Sequence, residues 1–130
     1  MTKVVITFGT FDVFHVGHLR ILERAKTFGD FLCVGISSDS FSYEKKGRFP
    51  VYPEAERMEI VAALKCVGHV FFEESLEKKA DYIKAVGASV LVMGMDWSGA
   101  FDHLADVCDV RYLDRTPSVS TTEIIEKIKN

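Results

Sequence analysis

Short apolar runs rich in β-branched residues alternate with segments of helical periodicity along the whole sequence. This alternation limits the possible folds more than any other feature of the chain. The runs predict five strands, at Lys3–Phe8, Phe31–Ser37, His69–Phe72, Ser89–Gly94 and Asp109–Asp114. Several of them are nearly continuous in apolar residues, which is typical of strands that are covered on both faces.

The segments between these strands have helical patterns. They predict helices at Val16–Phe28, Glu54–Val67 and Leu76–Val86, with a weaker helix at Ala100–Val107. A last helix begins with a capping box, in which Ser120 is the N-cap and Glu123 stands three residues later. The segment Ser38–Pro53 is interpreted as an irregular connection, and connections of that length are often functional.

Strand and helix in strict alternation predict an α/β fold, a Rossmann-like three-layer sandwich. About five parallel strands would carry helices on both faces. With 130 residues and no linker or repeat, residues 1–130 are expected to form a single domain. Ligands of such a sheet bind beyond the carboxyl ends of its strands, so the residues that follow each strand are the candidates for function.

Composition excludes several classes of protein. The chain has 16 Lys and Arg against 19 Asp and Glu, and a net charge of −3 does not favour binding to nucleic acid or an anionic membrane. No apolar run approaches the roughly 18 residues that span a bilayer, and the first residues do not resemble a signal peptide. Three cysteines without C-x-x-C spacing are interpreted as free thiols. We therefore expect a cytoplasmic protein without a membrane partner.

The turn after the first predicted strand carries an unusual group of polar residues. His15 and His18 lie three residues apart and flank Gly17, while Gly9 ends the strand. Glycines permit close backbone approach, and the helix that follows presents free N–H groups, so the turn is predicted to bind an anion. A zinc site is a weaker interpretation, because the remaining histidines, His69 and His103, are poorly placed to complete it.

Three motifs together resemble one family. Residues 9–18 read G-T-F-D-x-x-H-x-G-H, residues 93–97 contain M-G-x-D-W, and residues 115–122 are similar to R-T-x-G-I-S-T-T. In this combination and at these spacings, the chain resembles the cytidylyltransferase branch of the nucleotidyltransferase superfamily over almost its full length. The first motif alone is less specific, because adenylyltransferases and class I aminoacyl-tRNA synthetases also contain H-x-G-H.

The resemblance implies roles for individual residues. The implied catalytic residues are His15, His18, Lys45 and Arg115. The implied nucleotide-binding residues are Gly9, Thr10, Phe11, Asp12, Gly17, Lys46, Asp96, Thr116, Ser118, Val119, Ser120, Thr121 and Thr122. The implied acceptor-binding residues are Asp12, Arg57, Lys79 and Trp97. From the sequence alone, Lys79 would be interpreted as a solvated helix residue.

Two positions depart from the family pattern. Ser118, preceded by Pro117, stands where the family has a glycine that can adopt positive φ. Met95 stands where an acid usually precedes Asp96 and Trp97. Both departures bear on the identity of the acceptor more than on the type of reaction.

The implied reaction is transfer of CMP from CTP to the phosphate of a small phosphorylated alcohol, with glycerol-3-phosphate as the first expectation. Mg²⁺ would accompany the triphosphate without a dedicated protein site, and the resemblance implies a homodimer. Two alternatives stay open. The first is adenylyl transfer from ATP, for example to flavin mononucleotide or phosphopantetheine. The second is a silent nucleotide-binding module.

Overall fold

The computed structural model describes residues 2–114 and 120–129, which form one parallel sheet and its flanking helices. Its strands are β1 Val4–Gly9, β2 Phe31–Ser37, β3 His69–Glu73, β4 Val90–Gly94 and β5 Asp109–Leu113. Its α-helices are α1 Val16–Lys26, α2 Asp39–Lys46, α3 Glu54–Ala62, α4 Lys79–Val86 and α5 Thr121–Lys129, with 3₁₀ turns at Met95–Trp97 and Asp102–Leu104. The sheet confirms the predicted Rossmann-like α/β fold.

The order of the strands, β3-β2-β1-β4-β5, determines where a ligand can bind. From β1 the chain runs outward through β2 to β3, and it then returns to the other side of β1 as β4. The order therefore reverses between β1 and β4, and the loops that leave these two strands diverge. An open parallel sheet forms its ligand crevice at this point, beyond the carboxyl ends of the strands.

The two faces of the sheet have separate cores. On one face Val5 packs with Leu22 of α1 and Val61 of α3. On the other face its neighbour Ile6 packs with Ile83 of α4 and Leu104. Successive strand residues point to opposite faces, so each buried strand contributes to both cores. The predicted helices on both faces are confirmed by this arrangement.

The prediction of an irregular Ser38–Pro53 was wrong, because α2 occupies half of it. Ser38 is the N-cap and accepts from the backbone N–H of Phe41, and Gly47 ends the helix in the left-handed conformation. Both are standard helix-end signals. The helix is short and otherwise polar, with Phe41 and Ser42 as its buried residues, so its apolar periodicity is weak.

Three predicted helices were too long. The weak helix at Ala100–Val107 is a single 3₁₀ turn, in which Phe101 and Leu104 turn their side chains into the core. The helix predicted to start at Leu76 begins at Lys79, and the helix predicted to reach Val67 ends at Ala62. Beyond the end of α3, Leu64 and Val67 still pack against the core, so the apolar periodicity continues past the helix. No helix in the described part of the chain is long and apolar enough to cross a membrane.

Arg57 of α3 is fully buried and joins the loops that leave β1 and β2. Its guanidinium donates to the carbonyl oxygens of Tyr52, Thr10 and Ser37, at 2.8–2.9 Å. It also forms an ion pair with Asp39 at 2.7 Å. The planar fork of arginine suits this convergence of acceptors. One side chain thus fixes the carboxyl ends of two neighbouring strands relative to each other.

We predict that Arg57→Met destabilises the protein by about 3–5 kcal/mol, because it leaves a carboxylate and three carbonyls without their donor. Arg111→Met is the matched control. The Arg111–Asp109 pair is about half exposed, so its loss is expected to cost less than about 1 kcal/mol. Urea unfolding of both variants measures the difference, and an equal loss in the two would contradict the structural role of Arg57.

Candidate active site

A cleft of about 790 Å³ lies beyond the carboxyl ends of the strands. The turn after β1 and the 3₁₀ turn after β4 form its centre. Helix α2 and the end of β3 line one side, and the first turn of α5 lines the other. The strand order predicts a ligand crevice at this place, so this cleft is the candidate active site.

The two histidines form a reciprocal cap at the start of α1. His15 is the N-cap, and its Nδ1 accepts from the backbone N–H of Gly17 at 3.0 Å. His18 stands at the third helical position, and its Nδ1 accepts from the backbone N–H of His15 at 3.2 Å. This is the capping-box pattern, with imidazoles in place of the usual hydroxyl and carboxylate. The H-x-G-H spacing is therefore a helix start as well as a chemical motif.

Both imidazoles are neutral near pH 7. Burial lowers the pKa of His15. For His18, burial lowers the pKa to about 4, with a further contribution from His15, while Asp12 opposes the shift. A neutral imidazole carries one proton, and a nitrogen that accepts a hydrogen bond does not bear it. Because each Nδ1 accepts, each ring is an Nε2–H donor. The rings stack with centroids 3.9 Å apart.

The turn between β1 and α1 has a strained backbone. Phe11 and Val13 have φ of 55° and 47°, and positive φ is a genuine outlier for a β-branched residue such as valine. The Phe11 ring folds back on Gly9, where a Cβ would come within 2.8 Å of it. Gly9 is therefore required for the close approach of this ring. Strained residues persist where their surroundings fix them, commonly at functional sites.

The carboxylate of Asp12 holds the neighbouring loop. Its oxygens accept from the backbone N–H groups of Val51 and Tyr52, at 2.7 and 2.8 Å. The loop residues Phe49 and Val51 are largely exposed and line the mouth of the cleft. Asp12 therefore connects the turn after β1 with the segment before α3. The family resemblance implies substrate contacts for Asp12, and its local sequence does not reveal that it also binds this loop.

Two lysines enter the cleft from the other side. Lys45 of α2 donates to the hydroxyl of Ser37 at 3.0 Å. Burial lowers the pKa of Lys45 to about 8, and the neighbouring cations lower it further, while Glu73 opposes the shift. Lys79 of α4 is almost completely buried and pairs with Glu73 at 2.7 Å. Its burial lowers the pKa of Lys79, against the effect of the Glu73 carboxylate.

Aromatic rings enclose the Lys79 ammonium. Its Nζ lies 3.7 Å from the ring centroid of Phe8 and 4.7 Å from that of Phe101. Cation–π contacts of this kind offset part of the cost of burying a charge. The interpretation of Lys79 as a solvated helix residue was therefore wrong. The helical pattern of the sequence did not predict that the Lys79 side chain is buried, because Lys79 stands at the first position of α4.

The structure brings most of the residues implied by the family resemblance to the cleft. They are Gly9, Thr10, Phe11, Asp12, His18, Lys45, Lys46, Lys79, Asp96, Trp97, Thr121 and Thr122. Their individual roles stay predictions. Ser120 caps α5 by accepting from the backbone N–H of Glu123, as the sequence predicts.

Other implied residues are not part of the cleft lining itself. His15 and Gly17 form the start of α1, where Nε2 of His15 reaches the cleft residue Thr121. Arg57 is bound to backbone carbonyls and to Asp39. An acceptor contact by Arg57 would require the loss of these bonds. Arg115, Thr116, Ser118 and Val119 lie outside the described residues.

Several cleft residues were not predicted from the sequence, among them Glu73, Ser37 and Ser42. Glu73 is the last residue of β3, and Ser37 is the last residue of β2. Both are buried, and both accept from a lysine of the cleft. The rule that functional residues follow strand ends would have identified them. Ser42 lies at the buried side of α2, in a segment that was not recognised as helical.

The arrangement suits a polyphosphate. Two Nε2–H donors and the N-terminus of α5 meet at one part of the cleft, and Lys45 and Lys79 meet at another. Neutral donors and cations of this kind stabilise charge that develops on phosphoryl oxygens. Among the described residues, no group of three or more histidine, cysteine or acidic side chains could hold a metal ion. The zinc interpretation therefore gains no support from the described residues.

We predict that His18 makes the stability of the protein depend on pH. The unfolded chain protonates His18 below its ordinary pKa of 6.5, whereas the folded chain does so only near 4. Stability is therefore complete above about pH 6.5 and falls as the pH approaches 4. Urea unfolding at about pH 7 and about pH 5 measures this loss. The His18→Asn variant keeps an acceptor for the His15 N–H and is expected to lose less, and an equal loss in the variant would contradict the shifted pKa.

Comparison with known proteins agrees with this geometry. A glycerol-3-phosphate cytidylyltransferase of Bacillus subtilis is 44% identical over 126 residues, which are 97% of both chains. A protein with the same name from Staphylococcus aureus is 39% identical over 97% of this chain and 95% of its own. A crystal structure of a lipopolysaccharide core biosynthesis protein from Thermoplasma volcanium covers 89% of this chain and 98% of its own, with a TM-score of 0.74 and 21% identity.

The family comparison covers nearly the whole chain. The model of the cytidylyltransferase-like family matches residues 6–127, from β1 into α5. This range includes both histidines, Lys45, Lys79 and the helix start at Ser120. The chain belongs to the cytidylyltransferase-like family.

Proposed function

We propose that this protein transfers the cytidylyl group of CTP to the phosphate of glycerol-3-phosphate. A phosphate oxygen of the acceptor attacks the α-phosphorus of CTP and forms a new P–O bond. The bond from the α-phosphorus to the bridging oxygen of the β-phosphate breaks, and pyrophosphate leaves with its electron pair. The products are CDP-glycerol and pyrophosphate.

One observation carries the proposal. The two imidazoles of the H-x-G-H motif are fixed as Nε2–H donors beside the N-terminus of α5, in a cleft at the reversal of the strand order. The high identity to proteins named glycerol-3-phosphate cytidylyltransferase supports the choice of nucleotide and acceptor. The phosphate of the acceptor is already an anion near neutral pH, so the reaction needs donors and positioning more than a strong base.

We assign the two lysines to the acceptor side of the cleft. Lys79 is held by Glu73 and two rings, which fix its ammonium in one position. Lys45 donates to the Ser37 hydroxyl and lies over the Phe41 ring, and no ion pair of Lys45 occurs among the described residues. A charge-assisted bond to a phosphate is stronger than a bond to a hydroxyl, so Lys45 is the lysine suited to exchange its partner for an incoming phosphate.

Mg²⁺ is proposed to accompany the triphosphate. The ion takes oxygen ligands and is often bound through substrate phosphates with few protein carboxylates. In the cleft, Asp12 already accepts from three backbone N–H groups and Glu73 pairs with Lys79. These carboxylates are committed, which favours ligation by the triphosphate itself. When bound, Mg²⁺ would neutralise part of the triphosphate charge.

Two further expectations rest on the family resemblance and the composition. A homodimer is proposed from the resemblance, and light scattering of the purified protein measures it. A cytoplasmic location is supported by the three free cysteines, Cys33, Cys66 and Cys108. Synthesis of a precursor for a cell-wall or capsule polymer follows as a proposal from the chemistry of CDP-glycerol.

Release of pyrophosphate tests the proposed reaction. The purified protein with Mg²⁺ is expected to release pyrophosphate from CTP only when glycerol-3-phosphate is present, and chelation of Mg²⁺ is expected to stop it. Parallel assays use ATP in place of CTP, and other phosphorylated alcohols, such as phosphocholine, in place of glycerol-3-phosphate. Pyrophosphate release with ATP but not with CTP would indicate adenylyl transfer. Binding of CTP in calorimetry without turnover would indicate a binding module. Either result would overturn the proposal.

His15→Ala and His18→Ala are each expected to reduce turnover on the order of 10²–10³-fold, as the loss of one oxyanion donor typically does. His103→Ala is the matched control, because His103 is exposed and lies outside the cleft. Circular dichroism establishes that each variant remains folded. Near-normal turnover in either of the first two variants would contradict its role.

We predict that kcat/KM for glycerol-3-phosphate falls above about pH 8. Lys45 has a pKa of about 8, so it is protonated below this pH and loses its charge above it. The free enzyme determines the pH dependence of kcat/KM. Lys45→Arg keeps the charge at all accessible pH values and is expected to move the decline to higher pH. An unchanged decline in this variant would show that another group causes it.

A further inference from the structure

The hydroxyl of Thr121, the first residue of α5, meets three groups in the turn after β1 and the first turn of α1. Its Oγ1 lies 3.1 Å from the carbonyl oxygen of Asp12. It also lies 3.3 Å from Nε2 of His15 and 3.4 Å from Nε2 of His18. These contacts cross more than one hundred residues of sequence. They join the last described helix to the start of α1.

The direction of each bond follows from the caps of α1. Both Nδ1 atoms accept from backbone N–H groups, so both rings bear their proton on Nε2. The carbonyl of Asp12 can only accept, so the Thr121 hydroxyl donates its one proton there. Its two lone pairs then accept from the two Nε2–H groups. A single hydroxyl satisfies all three contacts without conflict.

Thr121 is not needed to cap its own helix. Ser120 is the N-cap of α5 and accepts from the backbone N–H of Glu123 at 3.1 Å. The Thr121 side chain is therefore free to bind outside α5, and its partners among the described residues lie between β1 and the first turn of α1. Its place at the helix start is explained by the histidines and not by helix formation.

We propose that Thr121 is a positioning residue, whose hydroxyl aligns the Nε2–H bonds of His15 and His18 toward the position of the reacting phosphate. This inference rests on the proposed function, in which these two bonds donate to phosphoryl oxygens. Without the hydroxyl, each ring keeps its Nδ1 bond but is free to tilt about it. The two donors then no longer converge on one point.

The lengths of the contacts fit this role. The N–H···O distances of 3.3 and 3.4 Å exceed the usual 2.9–3.0 Å. Such bonds are weak, and a charged phosphate oxygen forms shorter and stronger ones. Thr121 therefore orients the two N–H bonds, but it binds them weakly enough that an anion can replace it as their acceptor. A tighter partner, such as a carboxylate, would compete with the substrate for them.

Two substitutions at position 121 separate positioning from other roles. Thr121→Val keeps the shape of the side chain and removes the hydroxyl, and Thr121→Ser keeps the hydroxyl. We expect Thr121→Val to lower kcat for cytidylyl transfer about 10- to 100-fold, as small errors of position do. KM for CTP is expected to stay unchanged, and Thr121→Ser to retain most of kcat. Thr27→Val is the matched control, because the Thr27 hydroxyl binds at the other end of α1.

A second readout does not depend on activity. Two-bond ¹H–¹⁵N correlation spectra of the ¹⁵N-labelled protein report the state of each ring nitrogen. We expect Thr121→Val to move the Nε2 signals of both histidines, while their Nδ1 atoms stay unprotonated. Thr27→Val and Thr121→Ser are expected to leave these signals in place. The spectra are recorded without nucleotide, so they test the positioning even if the reaction is a different one.

Three results would overturn the positioning role. The first is unchanged Nε2 signals in Thr121→Val. The second is an unchanged kcat with a raised KM for CTP, which would indicate an ordinary contact to the nucleotide. The third is a loss of kcat in Thr121→Ser as large as that in Thr121→Val, which would indicate that the methyl group and not the hydroxyl matters. If Thr121→Val does not fold, the spectra and kinetics of Thr121→Ala decide in the same way.

Discussion

The first N–H groups of α1 need acceptors, and two imidazoles supply them. Every helix begins with backbone donors that its own carbonyls cannot reach, and here Nδ1 of His15 and Nδ1 of His18 accept from two of them. This local requirement determines which ring nitrogen bears the proton, and therefore which atom faces the cleft. The same bonds that start the helix thus prepare the donors for chemistry. Burial lowers the pKa of both rings, so near neutral pH each Nδ1 stays an acceptor for the helix start while Nε2 stays a donor.

The charged residues around the cleft fall into two groups according to the partners they bind. Arg57 and Asp12 are charged residues near the cleft, yet their bonds go mainly to backbone groups of the surrounding loops. Lys45 and Lys79 bind side chains instead, the Ser37 hydroxyl and the Glu73 carboxylate, and both line the cleft. A charged residue beside an active site can therefore hold a loop or bind a ligand, and the type of its partner distinguishes the two.

The sequence was sufficient to predict the sheet, because its strands are continuous apolar runs. It was also sufficient to predict the turn that carries His15 and His18, because the motif of this turn is long. It was insufficient for α2, whose eight residues have too little apolar periodicity, although Ser38 and Gly47 mark its ends. The predictions for Arg57 and Lys79 rested on the motif or on the helical pattern alone. Their partners, Asp39 and Glu73, lie outside the helices that carry the two cations, and helical periodicity carries no information about such partners.

Asp12 is bound to two segments that lie far from it along the chain. Its carboxylate holds residues 39 and 40 positions away, and its carbonyl accepts from Thr121, 109 positions away. Contacts between such distant positions cost more chain entropy to form than local contacts do. The turn after β1 therefore has its full set of bonds only when segments from three parts of the chain have come together. During synthesis, the bond from Thr121 to Asp12 cannot form before α5 has left the ribosome. A nascent chain that lacks α5 has the strands of the sheet without the hydroxyl that contacts both histidines.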